Sequence, residues 1–455
     1  MVRDEHLFPA SATEHTLIGP PTYPLDRDAF RRALRTGHGR ALIHARRYGL
    51  KGFEDDVLEA AIQDLRFDGQ LEPSREVPIA ELCAIAGIVE RLLDKDPTGN
   101  DDCIEHHCEV LAQFHAEYPD RVIQVLKESM RPWPGCHSLF PVDPLLEVGG
   151  RDALLFVARR FGELLIDGSV ERFDEYLFFA YEEVHGKGKA WIDLDAMAGD
   201  DPLVRACFDA RRDRDQELLE MKLERDARRR AGEAAGKPEP KTRFSWPGGA
   251  RPTIEQSVRD LTSGDFNYFY PWTKTSTLEE RDAVEQLLQT VDDPNRIRDA
   301  LRCLREHGFP NFEPGHLRFL HHENDEVRWW AGEVLANNSS PLIREEGLRR
   351  IDESEFSLGV TLLTHSALPE DTDRILSALE EPGDRDAVHD RVLALLEMAK
   401  DRPEMNPERL LQHVYEWSPC GNCHHKAVDA MKASDSLPAW IQDELQADMH
   451  AWGDS

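Results

Sequence analysis

The residues with the clearest capacity for chemistry form the stretch Trp-Ser-Pro-Cys-Gly-Asn-Cys-His-His-Lys at residues 417–426. Two residues separate Cys420 from Cys423, and His424 and His425 follow directly. Two thiols and two imidazoles at this spacing are typical of zinc ligands. These four residues are therefore our candidate metal site, and zinc is the one cofactor that the sequence suggests.

Two other interpretations of the same stretch stay open. The simplest is packing, because Ser418 is a helix-capping residue type and Pro419 suits the first helical position, so both cysteines would point inward as small apolar side chains. The third is a redox-active dithiol, since a lysine and two histidines near a helix start favour the thiolate form. Cys103 and Cys108 do not complete a zinc site, because five helical positions turn their side chains about 140° apart.

Aromatic residues indicate two candidate interaction surfaces. Trp329 and Trp330 are adjacent, and only one of two adjacent helical residues can face a core. Trp329 therefore either packs against the next helical layer or lines a binding surface, with Arg328 beside it. The segment Phe266–Trp272 has five aromatic residues in seven positions. It either plugs the open end of a helical array or presents Trp272 and Tyr270 to a partner.

The sequence contains none of the familiar local signatures of catalysis. Neither the phosphate loop G-x-x-x-x-G-K-S/T nor a G-x-G-x-x-G turn occurs, and the patterns G-x-S-x-G and H-E-x-x-H are also missing. We therefore assign no catalytic residue.

The element that must position the tryptophan pair is the most regular helical stretch of the chain, residues 321–338. Its apolar residues recur at intervals of three and four, which predicts one buried stripe of an α-helix; they are Val327, Trp330, Ala331, Val334 and Leu335. Asp325 is the predicted N-cap, and Asn337 and Asn338 are suited to a left-handed C-cap.

Helical patterning extends along most of the chain, and no run of alternating apolar residues is long enough to predict a sheet. Arg211–Arg230 carries dense charge of both signs, which predicts an exposed helix or an extension of the preceding one. The fold class is therefore all-α. Four regions are predicted: a loose leader at 1–26, a helical-repeat domain at 27–230, a linker at 231–251 and a second repeat domain at 252–455.

Two features of this pattern resemble HEAT repeats. The order acidic residue, Val, Arg, two bulky residues, Ala and Val-Leu within residues 325–335 is similar to the second helix of a HEAT repeat, and helix starts after residue 278 recur at hairpin spacing. A shared pattern ending in Ala-Arg-Arg, an aromatic residue and Gly occurs at 39–49 and 152–162. The chain resembles uncharacterised bacterial HEAT-repeat proteins, which implies an α-solenoid but no particular activity.

Composition narrows the expected partners. The 455 residues carry a formal net charge of −32, with a pI near 5.0. Such a surface repels phosphate backbones, so nucleic acid is not an expected partner and a basic protein is. No apolar run reaches the length of a membrane span, and residues 1–26 lack the features of a secretory signal. We expect a cytoplasmic protein with no membrane association.

These observations predict a non-enzymatic scaffold or regulator that binds a basic protein on a solenoid surface. One alternative is an enzyme similar to HEAT-like DNA glycosylases, which the acidic charge opposes. Another is an immunity-type inhibitor of a basic toxin or nuclease.

Overall fold

A computed structural model of the chain describes residues 18–68, 72–133, 138–170, 173–174, 176–199, 201–234, 251–264, 266, 269–380 and 385–447. In these ranges nearly all regular structure is α-helical. The strands described are β1 (Arg131–Pro132) and β2 (Leu139–Phe140), which pair antiparallel with Arg131 opposite Phe140. The predicted all-α class is confirmed.

The chain divides into two compact units. Residues 21–239 and 443–455 form the first, here called the N-terminal unit, and residues 1–20 and 240–442 form the second, the C-terminal unit. The helices up to residue 234 are α1 (Arg27–Thr36), α2 (Arg40–Tyr48), α3 (Glu54–Ile62), α4 (Glu76–Ala86), α5 (Val89–Leu93), α6 (Asp101–Ala112), α7 (Pro119–Ser129), α8 (Asp143–Val148), α9 (Gly150–Asp167), α10 (Phe179–His185), α11 (Lys189–Ala198) and α12 (Pro202–Ala234).

The helices after residue 251 vary less in length. They are α13 (Ile254–Ser263), α14 (Phe269–Thr275), α15 (Leu278–Leu287), α16 (Pro294–Leu304), α17 (Asp325–Ala336), α18 (Pro341–Asp352), α19 (Phe356–Leu363), α20 (Thr372–Glu380), α21 (Arg385–Asp401), α22 (Pro407–Trp417), α23 (Gly421–Ala433) and α24 (Ala439–Leu445). Short 3₁₀ helices occur at Pro314–His321, Pro369–Asp371 and Pro403–Met405.

The predicted leader and linker fall mainly outside the described residues, which omit 1–17 and 235–250. Where the leader is described, Leu25 is buried and its backbone N–H donates to Nδ1 of His44 at 3.0 Å. Helix α12 runs to Ala234, so the first residues assigned to the linker are helical.

Helix α12 also contains the whole charge-dense segment Arg211–Arg230, which therefore extends the preceding helix, one of the two predicted outcomes. It packs along α9. The approach is close at Gly162, where a Cβ atom would lie 2.0 Å from the carbonyl oxygen of Leu203. Any larger residue at this position would force the two helices apart.

In the C-terminal unit, one series of helices makes contacts in succession along the chain. Helix α16 packs on α17, α17 on α19, α19 on α21, and α21 on α23. The helices between them pack on members of this series, with α18 against α19 and α22 against both α21 and α23. Apolar residues of this region, among them Val334, Leu335 and Leu362, are fully buried and form its core.

A recurring arginine contact joins the successive layers. In each case a guanidinium donates to a backbone carbonyl 26 to 35 residues earlier in the chain. The pairs are Arg296 to Leu261 at 3.3 Å, Arg318 to Leu288 at 3.1 Å, Arg350 to Leu320 at 3.0 Å, Arg374 to Leu348 at 2.9 Å and Arg402 to Ala367 at 2.7 Å. We call this set the arginine ladder. Each bond ties a charged side chain of one helical layer to the backbone of an earlier one.

Helix α17 follows the sequence prediction closely. The apolar stripe is buried, except that Trp330 is only half-buried. The N-cap is Asn324 rather than Asp325, because the Asn324 side chain accepts a hydrogen bond from the Val327 N–H at 3.1 Å. The predicted left-handed C-cap is wrong: Asn337 has a φ of −81°, and the Asn338 side chain instead bonds the backbone of Phe309.

Within the described part of the chain, no helix combines the length and the apolar character that crossing a bilayer requires.

Candidate functional site

A concave cleft of about 540 Å³ lies between α17, α19 and α21. We call it the acidic cleft. It is lined by Trp329, Glu333, Ala336, Asn337, Ser357, Leu358, Thr361, Thr364, His365, Asp390, Leu393, Ala394 and Glu397. Carboxylates supply the charge of this lining, and one tryptophan supplies its largest apolar face.

The apolar stripe of α17 determines where Trp329 points. Because Val327, Ala331 and Val334 face the core, Trp329 lies about 100° round the helix from Trp330 and faces the cleft, with 50% of its surface exposed. The two indole rings meet edge to face, with 4.4 Å between their centroids and an angle of 79°. This contact braces the exposed ring against a partly buried one.

The carboxylates of the cleft influence one another. Burial raises the pKa of Glu333, and the charges of Asp390 and Glu397 raise it further, while Arg305 opposes this effect. The cleft therefore concentrates negative charge at a half-buried position, which favours the approach of a cation.

A histidine completes one edge of the cleft. His365 Nε2 lies 3.9 Å from Glu397 Oε1, and the donor atoms of His365, Glu397 and Asp401 all lie within 4.8 Å of one another. Both carboxylates are exposed, and exposed carboxylates at such distances are common on an acidic protein. We treat this group as part of the acidic rim.

The other predicted interaction residues do not join the cleft. Trp272 is 1% exposed and belongs to the core, so its assignment to a binding surface is wrong. The side chain of Tyr270 lies outside the described residues. Arg328 donates to the carbonyls of His322 at 2.7 Å and Glu323 at 3.1 Å, which holds it at the start of its own helix.

The region 417–426 forms a second site. Cys420, rather than Ser418, is the N-cap of α23, and the helix begins at Gly421, so the predicted cap was two residues too early. The Ser418 hydroxyl accepts from the Cys420 N–H at 3.1 Å and donates to the Cys420 carbonyl at 2.9 Å. These two bonds hold the Cys420 backbone at the mouth of the helix.

His389 of α21 joins the two cysteines. Its Nε2 lies 3.3 Å from Cys423 Sγ, and the donor atoms of His389, Cys420 and Cys423 all lie within 4.8 Å of one another. We call these three residues the cysteine cluster. Both cysteines are buried, and the hydrogen bond from Cys423, with weaker help from His389, holds the pKa of the Cys420 thiol well below its usual range against the effect of burial.

The two histidines predicted as ligands point elsewhere. The buried His424 ring packs against Tyr415, with 4.1 Å between their centroids. The half-exposed His425 places Nε2 3.1 Å from Asp429 Oδ2, one turn further along α23. The sequence thus predicted the two sulfur atoms of the cluster but missed its imidazole, which lies 34 residues before Cys423. The one signal for His389 is weak: it flanks the apolar stripe of α21 formed by residues such as Val388 and Val392.

Comparison of the chain with protein-family models, curated proteins and solved structures finds no match.

Proposed function

We propose that this protein is a non-enzymatic interaction protein whose acidic cleft binds a basic segment of a partner protein. The observation that carries the proposal is the lining of the cleft, where a half-exposed tryptophan stands beside Glu333, Asp390 and Glu397 in a single concavity of about 540 Å³. Pockets that enclose a small ligand measure about 300–1,000 Å³, so an arginine or lysine side chain fits inside.

The chemistry of the lining matches a cationic side chain. A guanidinium can stack on the exposed face of Trp329 and donate to the carboxylates around it. The fold already uses this contact: the Arg302 guanidinium carbon lies 5.2 Å from the Trp330 ring centroid and 4.1 Å from that of Phe269. The net charge of −32 would also steer a basic partner toward the protein over a longer distance.

We further propose that the helices of the C-terminal unit stack as a HEAT-like solenoid, an architecture that would support binding in the cleft. Two observations support this arrangement: α17, α19 and α21 contact one another in succession, as inner helices of stacked hairpins would, and the arginine ladder spans 26 to 35 residues, about the length of one hairpin. Inner helices of solenoids form extended concave surfaces, and the acidic cleft would be part of one.

The alternatives differ in how well they fit this lining. A glycosylase-type enzyme must approach phosphates, which the carboxylates of the cleft repel. An immunity-type inhibitor of a basic toxin or nuclease would use the same cleft, and would differ from a scaffold only in the identity of its partner.

Fluorescence anisotropy with a labelled arginine-rich peptide tests the proposal. The full chain should bind this peptide more tightly than a glutamate-rich peptide of equal length, and added salt should weaken the binding. Glu397→Arg should reduce the affinity at least about tenfold, because it removes one attractive charge and adds a repulsive one inside the cleft. The Glu397 side chain is 54% exposed, so the melting temperature should stay nearly unchanged.

The matched control is Glu345→Arg, which makes the same charge change at an exposed position of α18 outside the cleft. This variant should bind nearly as well as the unmodified protein. An equal loss in both variants would show that only net charge attracts the peptide, and undiminished binding by the Glu397→Arg protein would also refute the proposal.

A further inference from the structure

The cysteine cluster offers three metal-ligating atoms from two helices that are distant in sequence. Tetrahedral zinc with bonds of about 2.3 Å to sulfur and about 2.0 Å to nitrogen places neighbouring S and N ligand atoms about 3.5 Å apart, and two S atoms about 3.8 Å apart. The observed distance from Cys423 Sγ to His389 Nε2 is 3.3 Å, and all three donor atoms lie within 4.8 Å of one another. The spacing therefore suits one shared ion without a backbone rearrangement.

The ligand atoms of the cluster and their buried environment favour zinc over other metals. Thiolate and imidazole ligands favour zinc over calcium or magnesium, which prefer oxygen. Cys420 and Cys423 are 5% and 1% exposed, so the ion would lie in an environment of low polarity. Two thiolates balance the two positive charges of zinc, and a neutral imidazole adds no charge. The zinc-bound site therefore carries no net charge, and its burial costs little free energy.

The backbone around the cluster is already fixed. Ser418 holds Cys420 through two hydrogen bonds, and α23 begins at the next residue. His389 projects from α21, which packs against both α22 and α23. A ligand set held this firmly before binding loses little conformational freedom when the ion arrives.

We propose that His389, Cys420 and Cys423 bind one zinc ion that fastens α21 to α23. The protein supplies three ligands from this cluster, and water or a further donor would complete the coordination. Zinc binds both sulfur atoms as thiolates, any proton still on a thiol passes to solvent, and no oxidation state changes. This proposal is independent of the acidic cleft.

This ligand set contains His389 in place of the His424 and His425 that the sequence suggests, and the difference can be tested. Metal analysis of the purified full chain should find about one zinc per protein, and the His425→Ala variant should retain it, since His425 faces Asp429. His389→Ala and Cys423→Ser should each lower the zinc content at least about tenfold. Circular dichroism checks that these variants are folded.

A second measurement on the unmodified protein does not depend on the folding of any variant. After chelation, cobalt added in place of zinc should produce the charge-transfer absorption of cobalt–thiolate bonds. The bound metal should also protect Cys420 and Cys423 from alkylation, as peptide mass spectrometry would show, and chelation should lower the melting temperature.

Three results would overturn the proposal. One is zinc below about 0.1 per chain together with no cobalt–thiolate absorption. Another is a Cys420–Cys423 disulfide in the protein as purified without reductant, which would indicate a redox pair. The third is retention of zinc in the His389→Ala variant with loss in the His425→Ala variant, which would return the site to the histidines beside the cysteines.

Discussion

Trp272 and Trp329 belong to the same unit, and the sequence offers both as candidates for a partner surface, but they occupy opposite environments. Trp272 is 1% exposed, and its ring lies 6.1 Å from that of Phe266 inside the core. Trp329 is 50% exposed and lines the acidic cleft. The same residue type thus contributes to cohesion in one region and to an open surface in the other, and only the helices packed around each ring decide which.

The described rings of the aromatic segment at 266–272 pack on the core, which favours the plug over the partner surface among the two interpretations of the sequence. Phe266 is buried, and Phe269 packs against the same core and against the guanidinium of Arg302. Residues 265, 267 and 268 lie outside the described part of the chain. These large rings add apolar area to the core near the first helices of the unit.

The largest expected difference between the two tryptophans is in stability. Trp272→Ala should lower the free energy of unfolding by about 3–5 kcal/mol, because it leaves a cavity in a packed core. Trp329→Ala should lower it by less than about 1 kcal/mol, since half of this ring already faces solvent. Chemical denaturation followed by circular dichroism measures both. Equal losses would contradict the contrast drawn here.

A smaller effect is expected on peptide affinity, and here the exposed Trp329 is the tryptophan that matters. Trp329→Ala should weaken binding of the arginine-rich peptide about tenfold, which is the size of a partly desolvated cation–π contact, and Trp329→Phe should weaken it less. Trp133→Ala is the control, because Trp133 is also exposed but lies in the N-terminal unit. Anisotropy titrations should show no change for this control. If Trp329→Ala left the peptide affinity unchanged, the carboxylates alone would determine binding.

The smallest expected effect is a pH dependence of a few-fold. The pKa of Glu333 is raised above 4.5 by burial and by Asp390 and Glu397, so folding favours its protonated form. That contribution to stability is complete below pH 4.5 and is lost as the pH rises through the raised pKa. A bound cation favours the ionised form instead, so peptide affinity should increase across the same pH range.

Titrations of the peptide at several pH values between about 5 and 8 measure this dependence. Glu333→Gln should flatten the curve, and because His365 remains in that variant, the difference between the two curves reports Glu333 alone. Identical curves would show that the ionisation of Glu333 is not coupled to the cation.

Several features of the molecule were predictable because they depend on neighbours close in sequence. The stripe through Val327, Ala331 and Val334 is buried as its spacing predicts, and Asn337 does end the helix. The caps were less predictable. Asn324 caps α17 in place of Asp325, because its side chain accepts from the Val327 N–H. Cys420 precedes α23 without any side-chain capping bond, and Ser418 instead accepts from the Cys420 N–H.

The sequence by itself determined that the chain forms helices, which faces of them are apolar, that the protein is strongly acidic, and that two thiols stand one helical turn apart. These properties follow from residue type and from periods of three to four residues. Only the tertiary structure decided that His389 faces Cys423 while Asp390, its immediate neighbour in α21, faces the cleft beside Trp329. Such pairings depend on how helices some 30 residues apart pack side by side, and no local period encodes that packing.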